Sequence, residues 1–249
     1  MDIITSASNK FVKSVRALRD KKGREQAGAF VVEGAKFVAE IPAGWKIRHI
    51  IAAASYPRRG ELCSPVVVTD AIFTTLSDVA TPQGILAVVE KKQYSIDRVL
   101  NGQTIFILEN INDPGNLGTI LRACHGLGAC GVVLSPGCAD IFSPKAVRAS
   151  AGSLFHIPFA ITCIKEAAAH LSAKQLPLYA TSPQADKPLY NLNLQGPSAF
   201  LLGNEHHGLT PEACALATDS ISIPTAAESL NVSMACAILA YEAMRQKNM

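Results

Sequence analysis

Three segments of the chain concentrate polar and small residues at the points where apolar strands are predicted to end. They span residues 109–122, 200–209 and 223–233. In a parallel sheet, ligands bind at the carboxyl ends of the strands, so these segments are candidates for a ligand site. Their amide, guanidinium, carboxylate and hydroxyl groups, with one glycine, are the groups that could do chemistry: Asn116, Arg122, Gly203, Glu205, Ser229 and Asn231.

Most of these residues also have a structural interpretation. Asn116 follows an Asp-Pro-Gly turn and is a candidate N-cap of the helix that comes next. Arg122 lies in an otherwise apolar helix, where a cation either extends to solvent or serves a site. Gly203 ends a strand, where a missing Cβ lets a ligand approach the backbone. Ser229 and Asn231 suit the cap of the last helix, whose N-terminus carries free N–H groups.

Metal and dinucleotide sites have little support in the sequence. The seven cysteines form no CxxC pair, which favours reduced thiols over a zinc site. His206 and His207 are adjacent, so they are better suited to the surface or to RNA than to one shared metal. The segment GNLG lacks the glycine pattern of a dinucleotide-binding turn. We therefore predict no metal.

Basic residues are concentrated near the N-terminus at spacings close to a helical repeat. Several could share one helix face and follow the phosphates of a nucleic acid, although an ordinary solvated helix has the same pattern. The candidates for RNA binding are Lys10, Lys13, Arg16, Lys22 and Arg24.

The first part of the chain has the pattern of a small α/β module. A helix is predicted from about Ser8, capped by Ser6 or Ser8, to near Gly23. Short apolar runs predict strands at 29–33, 47–53, 65–68 and 84–89. The polar stretch 90–97 is the best linker candidate.

The second part alternates short apolar strands with helices, which predicts a parallel sheet covered on both faces. Strands are predicted at 104–108, 131–134, 177–180, 199–202 and 220–223, and helices at 115–127, from 146, and at 232–246, with a further apolar run at 157–161. There is no run of about 18 apolar residues that would span a membrane. The N-terminus lacks the pattern of a secretory signal, so we expect a cytoplasmic protein.

The three segments together resemble the SpoU (TrmH-type) family of SPOUT RNA methyltransferases. That family's first motif has an asparagine and an arginine six residues later, as in DPGNLGTILRA here. Its second motif, GxExxG, corresponds to Gly203–Gly208, and its third to Ile223-Pro224 and ESLNVS. Only Thr225–Ala227 separates the two parts of the third motif, about two residues fewer than is usual in the family.

The resemblance implies an α/β methyltransferase domain with a trefoil knot over residues 98–249. It also implies an RNA substrate-binding domain like a ribosomal protein over residues 1–92. Members use S-adenosylmethionine to methylate ribose 2′-oxygens and are generally homodimers with active sites at the subunit interface. The apolar residues of the final helix would then form part of that interface: Val232, Ala235, Ile238, Leu239 and Met244.

Site roles follow from the same resemblance. Gly203, Ile223, Leu230 and Thr181 would contact the cofactor. Arginine is a poor general base, so we expect Arg122 to bind a phosphate and stabilise the developing alkoxide. Asn116 and Glu205 would orient Arg122 and the ribose, while Ser229 and Asn231 would line the acceptor site, completing the catalytic set.

The expected substrate is a structured RNA, with large-subunit rRNA favoured and tRNA as the alternative. Two other functions are compatible with parts of the pattern. One is a non-catalytic RNA-binding or ribosome-assembly protein that has kept the fold. The other is a nucleotide-dependent enzyme such as a dehydrogenase, against which the missing glycine pattern argues.

Overall fold

The computed structural model describes residues 3–57 and 64–248; Cys63 lies outside these ranges. The described chain forms two compact units. The first consists of the residues up to Lys92 together with Asp140–Phe155, and the second of Gln93–Ala139 and the residues from His156 onward. Sequence patterns did not indicate that Asp140–Phe155 belongs with the first unit. None of the helices in the described ranges is long and apolar enough to cross a membrane.

The first unit is built on a four-stranded sheet with the order β1-β4-β2-β3. Strands β2 and β3 are parallel, and the other neighbours are antiparallel. In chain order its elements are α1 (Lys10–Ala17), α2 (Lys21–Ala27), β1 (Ala29–Glu33), α3 (Ala35–Ala39), β2 (Ile47–Ala53), β3 (Val66–Val68), α4 (Asp70–Leu76) and β4 (Ile85–Glu90).

The predicted first helix is two helices. Helix α1 is capped by Asn9, whose side chain accepts a hydrogen bond from the backbone N–H of Phe11. Gly23 lies inside α2 and does not end a helix, so that prediction was wrong. A Cβ at Gly23 would lie 1.9 Å from the carbonyl oxygen of Ala17, so glycine is needed for the close approach of the two helices.

The second unit contains a six-stranded sheet with the order β10-β8-β9-β5-β6-β7. Every pair of neighbours is parallel, which confirms the predicted α/β sheet. In chain order the remaining elements are α5 (Ile96–Val99), β5 (Thr104–Leu108), α6 (Pro114–Gly126), β6 (Gly131–Leu134), α7 (Pro144–Ala149, in the first unit), β7 (Phe159–Ile161), α8 (Ile164–Ala173), β8 (Leu178–Thr181), β9 (Ser198–Leu202), α9 (Pro211–Cys214), β10 (Asp219–Ile221) and α10 (Val232–Lys247).

The strand register brings the candidate segments to one edge of this sheet. Leu108 at the end of β5 lies opposite Leu202 at the end of β9, and Thr181 at the end of β8 lies opposite Ile221 at the end of β10. Helices α5, α8 and α9 cover one face with an apolar cluster, while α6 and α10 pack together on the other. Whether the chain forms a trefoil knot stays a prediction.

Candidate functional site

A pocket of about 280 Å³ lies beyond the carboxyl ends of β8, β9 and β10. All four residues predicted to contact the cofactor line it: Thr181, Gly203, Ile223 and Leu230. The sequence interpretation named only Thr181 in its segment, but Ser182, Pro183 and Gln184 also line the pocket. The pattern that selected the other three segments, small and polar residues directly after a strand, was also present here.

The wall formed after β9 is a tight turn closed by the backbone. The N–H of Asn204 and the N–H of Gly208 each donate to the other residue's carbonyl oxygen at 3.0 Å. A Cβ at Gly203 would lie 2.3 Å from the carbonyl carbon of Gly208. The glycine is therefore required by the chain's own turn, whereas the sequence had indicated close approach of a ligand.

Asn204 was missed by the sequence interpretation and holds this turn from within. Its side-chain oxygen accepts hydrogen bonds from the N–H groups of His206 and His207 at 2.9 and 3.1 Å. Its amide nitrogen donates to the carbonyl oxygen of Asn110 at 2.8 Å, on the loop after β5. Because Asn204 is buried, these bonds satisfy groups that water does not reach. Its burial could not be read from GNEHHG.

Glu205 is a fixed carboxylate that joins the loops after β5 and β9. Its oxygens accept hydrogen bonds from the N–H groups of Asn112 and Asp113, both at 3.3 Å, and from the Asn116 amide at 3.0 Å. Partial burial opposes ionisation, but these donors outweigh it and lower the pKa of Glu205. A carboxylate with a lowered pKa and several donors is suited to positioning rather than to accepting a proton.

Asn116 connects Glu205 to the start of α10. Helix α6 begins at Pro114, and its N-cap is Asp113, whose carboxylate accepts from the N–H of Asn116 at 2.9 Å. The prediction that Asn116 is the cap was therefore wrong, and its side chain is available for other bonds. The amide of Asn231 donates to Asn116 Oδ1 at 3.1 Å, while Asn231 itself caps α10.

Two predicted catalytic residues lie outside this hydrogen-bonded chain. Ser229 is exposed and lines the pocket. Arg122 is exposed on α6, does not line the pocket, and makes no hydrogen bond or ion pair with the described part of the chain. The expected contact of Arg122 with Asn116 and Glu205 is thus absent within the single described chain.

Glu109 is a buried acidic residue at the end of β5 that sequence reasoning did not single out. Its carboxylate accepts from the backbone N–H of Thr210 at 2.8 Å and from the Thr210 hydroxyl at 2.7 Å. Thr210 is the N-cap of α9, so Glu109 fixes the chain just beyond the turn that closes the pocket. A charged residue ending an apolar strand was the available signal.

The predicted RNA-binding residues differ in their exposure to solvent, and one of them is buried. Lys10, Lys13 and Lys22 are exposed, and Arg16 is half-buried, with its guanidinium donating to the Thr75 hydroxyl at 2.8 Å. Arg24 is 3% exposed.

The buried guanidinium of Arg24 serves the fold. It pairs with Asp140 at 2.7 Å and donates to the carbonyl oxygens of Leu18 and Arg19. The prediction that Arg24 contacts RNA is corrected accordingly. No cluster of potential metal ligands occurs among residues 3–57 and 64–248.

Comparisons with known proteins agree with this architecture. Residues 103–241 match the SpoU rRNA Methylase family, and residues 9–87 match the MRM3-like substrate binding domain. An uncharacterized tRNA/rRNA methyltransferase of Synechocystis is 31% identical, covering 98% of this chain and 94% of the relative. The 23S rRNA (guanosine(2553)-2′-O)-methyltransferase RlmP of Bacillus subtilis is 29% identical, covering 97% and 98%.

A solved structure shares the whole fold. The AdoMet-bound rRNA methyltransferase of Sinorhizobium meliloti superposes with a TM-score of 0.84 at 30% identity, covering 98% of this chain and 97% of that one. The family match spans the second unit's sheet, the pocket and the Asn116–Glu205 pair. The chain belongs to the SpoU rRNA methylase family.

Proposed function

We propose that this protein transfers a methyl group from S-adenosylmethionine to a ribose 2′-oxygen of large-subunit rRNA. The observation that carries the proposal is the pocket that gathers Thr181, Gly203, Ile223 and Leu230 beside the carboxylate of Glu205. The relative RlmP is named for this reaction on 23S rRNA, and the Sinorhizobium structure holds the same cofactor.

The lining of the pocket fits the proposed cofactor. The tight turn after β9 presents backbone groups, while Ile223, Leu230 and Val232 present apolar surface, a combination typical of small-molecule sites. When bound, S-adenosylmethionine supplies an activated methyl group on a sulfonium centre. The segment Thr225–Ala227 is short, and on this side the pocket is lined by the exposed residues Thr225 and Glu228.

The protein's own residues position the acceptor and stabilise its charge. In-line attack by a weak hydroxyl nucleophile depends strongly on orientation. Asn116 and Asn231, held through Glu205, lie at the junction of α6 and α10 and provide amide groups near the pocket. Ser229 lines the same pocket and completes the proposed acceptor surface.

Arg122 acts in this proposal from the second subunit of a homodimer. It lies away from the pocket of its own chain, as an exposed cation without a hydrogen-bond or ion-pair partner in the described structure. Exposed apolar residues on α10 provide a surface for the partner: Met234, Ile238 and Tyr241. Val232 and Leu239, expected at the interface, are instead buried within their own chain.

RNA binding is assigned to exposed cations of the first unit. Lys10 and Lys13 lie three residues apart on α1, a spacing that places both on one side of the helix. Lys22 is exposed on α2. Contacts of this kind to phosphates give affinity that falls with salt and carries no sequence information.

Labelled S-adenosylmethionine tests the proposal with rRNA and tRNA purified separately from cells that lack the protein. We expect label in large-subunit rRNA, in an alkali-resistant dinucleotide. Label only in tRNA would select the alternative substrate. No label in either RNA, from a protein that also fails to bind the cofactor, would favour a non-catalytic RNA-binding protein.

Mixed dimers test the location of Arg122. One chain carries Arg122→Ala and the other Gly203→Ala, which disables the pocket. If each Arg122 serves the partner's pocket, one of the two sites keeps both functional elements, and we expect about half of the parent activity. If Arg122 served its own pocket, both sites would be defective and the mixed dimer would be inactive.

A further inference from the structure

A pair of stacked histidines lies on the second unit, outside the pocket. The rings of His125, on α6, and His156, just before β7, have centroids 4.6 Å apart and planes inclined by only 9°. Both residues are exposed. The pair is therefore a preformed aromatic surface in contact with solvent.

The histidine pair shares a helix face with Arg122. Thr119, Arg122 and His125 are exposed at successive spacings of three residues on α6, which places them on one side of the helix. At a rise of about 1.5 Å per residue, the backbone positions of Arg122 and His125 are separated by about 4.5 Å along the axis. An RNA strand held by Arg122 would meet the histidines next.

The electrostatics at His125 favour its neutral imidazole. Partial burial, and then the neighbouring charge of His156, lower the pKa of His125. The imidazole of His125 is therefore mainly neutral near pH 7 and offers an aromatic surface rather than a cation. The nitrogen lone pairs of an imidazole lie in the plane of its ring. Because the two rings are nearly parallel, their lone pairs do not converge on one point, and the pair is not suited to binding one metal ion jointly.

We propose that the stacked His125–His156 pair binds a nucleobase next to the target nucleotide and so helps to place that nucleotide for methylation. This inference rests on the proposed methyltransferase function. Stacking of bases on aromatic side chains is a general mode of binding single-stranded RNA and tolerates different base identities. The pair would thus act as a positioning element beside Arg122.

Steady-state methylation of rRNA tests the proposal with His125→Ala, His156→Ala and the aromatic variant His125→Phe. We expect the KM for RNA to rise roughly 5- to 100-fold in either alanine variant, as loss of one stacking contact implies. The affinity for S-adenosylmethionine should stay within about twofold of the parent. His125→Phe should keep KM within about threefold, because it retains the stacking surface.

His170→Ala is the matched control, since His170 lies on α8 on the other face of the sheet, 3.3 Å from Asp97. Unchanged KM in both alanine variants would overturn the proposal. A KM for RNA that stays near the parent value in His125→Lys but rises in His125→Phe would also overturn the proposal, in favour of a phosphate contact. An altered oligomeric state in His125→Ala would instead assign the pair to a subunit interface. A parent protein without methylation activity would refute the underlying function, which is a distinct result.

Discussion

The side-chain nitrogen of Asn116 lies 3.0 Å from a carboxylate oxygen of Glu205 and donates a hydrogen bond to it. This bond joins the start of α6 to the turn after β9, two elements 89 residues apart in the chain. Through Asn231, the same asparagine is also linked to the start of α10. The pocket and the proposed acceptor surface therefore share one hydrogen-bonded support.

Replacing Asn116 should impair methyl transfer more than stability. Asn116→Ala removes the hydrogen bond that holds Glu205 to the start of α6, and because a misplaced positioning group can cost about 100-fold in rate, we expect kcat/KM to fall roughly 10- to 100-fold. Asn112→Ala is the matched control, because Asn112 bonds Glu205 through its backbone N–H, which the substitution retains. Equal losses in the two variants, measured by initial rates, would argue against a special role for the Asn116 amide.

Adding one methyl group at Gly203 should disrupt the cofactor pocket. In Gly203→Ala the new Cβ would clash with the Gly208 backbone, forcing the turn that lines the pocket to move. Calorimetric titration should show binding of S-adenosylmethionine at least about 10-fold weaker, a change of about 1.4 kcal/mol. Gly196→Ala, where a Cβ meets no atom within 4 Å, should bind as the parent does. Tight binding in Gly203→Ala would place the cofactor elsewhere.

Two basic residues of the first unit should respond in opposite ways. Arg24→Ala leaves the largely buried Asp140 without its guanidinium partner, a change that costs about 3–5 kcal/mol at buried ion pairs. It should lower the thermal unfolding midpoint. Lys13→Ala should leave that midpoint unchanged and weaken RNA binding, with a shallower salt dependence. A stable Arg24→Ala protein with weakened RNA binding would restore the original assignment.

Acid should weaken one contact near the C-terminus of α10. Hydrogen bonds from Arg245 lower the pKa of Glu242 to about 2. A carboxylate with a depressed pKa in the folded state adds stability above its unfolded pKa and loses it as pH falls towards the folded value. Glu242→Gln should therefore lower the unfolding midpoint at pH 7 but have little effect near pH 2. A deficit that is equal at both pH values would contradict this account.

The fold of the second unit was predictable because its strands are short, apolar and regularly interrupted. Parallel strands buried on both faces have no polar alternation to confuse the pattern, and the five predicted strands are found within a few residues of their predicted positions. The sixth, β7, lies within the apolar run 157–161. Among the pocket residues, Gly203, Ile223 and Leu230 were accessible from the family motifs. Their hydrogen-bond partners were not, because Asn204 and Glu109 owe their roles to burial that only the tertiary structure creates.

The first unit shows the limits of periodicity. The basic residues from Lys10 to Arg24 are spaced as on one helix, yet the helix is interrupted between α1 and α2. That break directs Arg24 to Asp140, a partner 116 residues away that no local pattern indicates. The proposed action of Arg122 on a partner subunit is similarly inaccessible to local patterns, since a helix repeat assigns Arg122 a face and nothing more.

Nucleoside analysis of large-subunit rRNA shows whether the pocket after β8, β9 and β10 supports methyl transfer to a ribose. Large-subunit rRNA from cells lacking the protein is treated with the enzyme and isotopically labelled S-adenosylmethionine, digested, and examined by mass spectrometry, with Arg122→Ala in parallel. We expect the label on the ribose of one nucleoside with the parent protein, and at least about a 100-fold lower yield with the variant, as loss of a group that stabilises the developing alkoxide implies. Label on a base would refute ribose methylation, and equal ribose labelling by Arg122→Ala would refute the proposed role of Arg122.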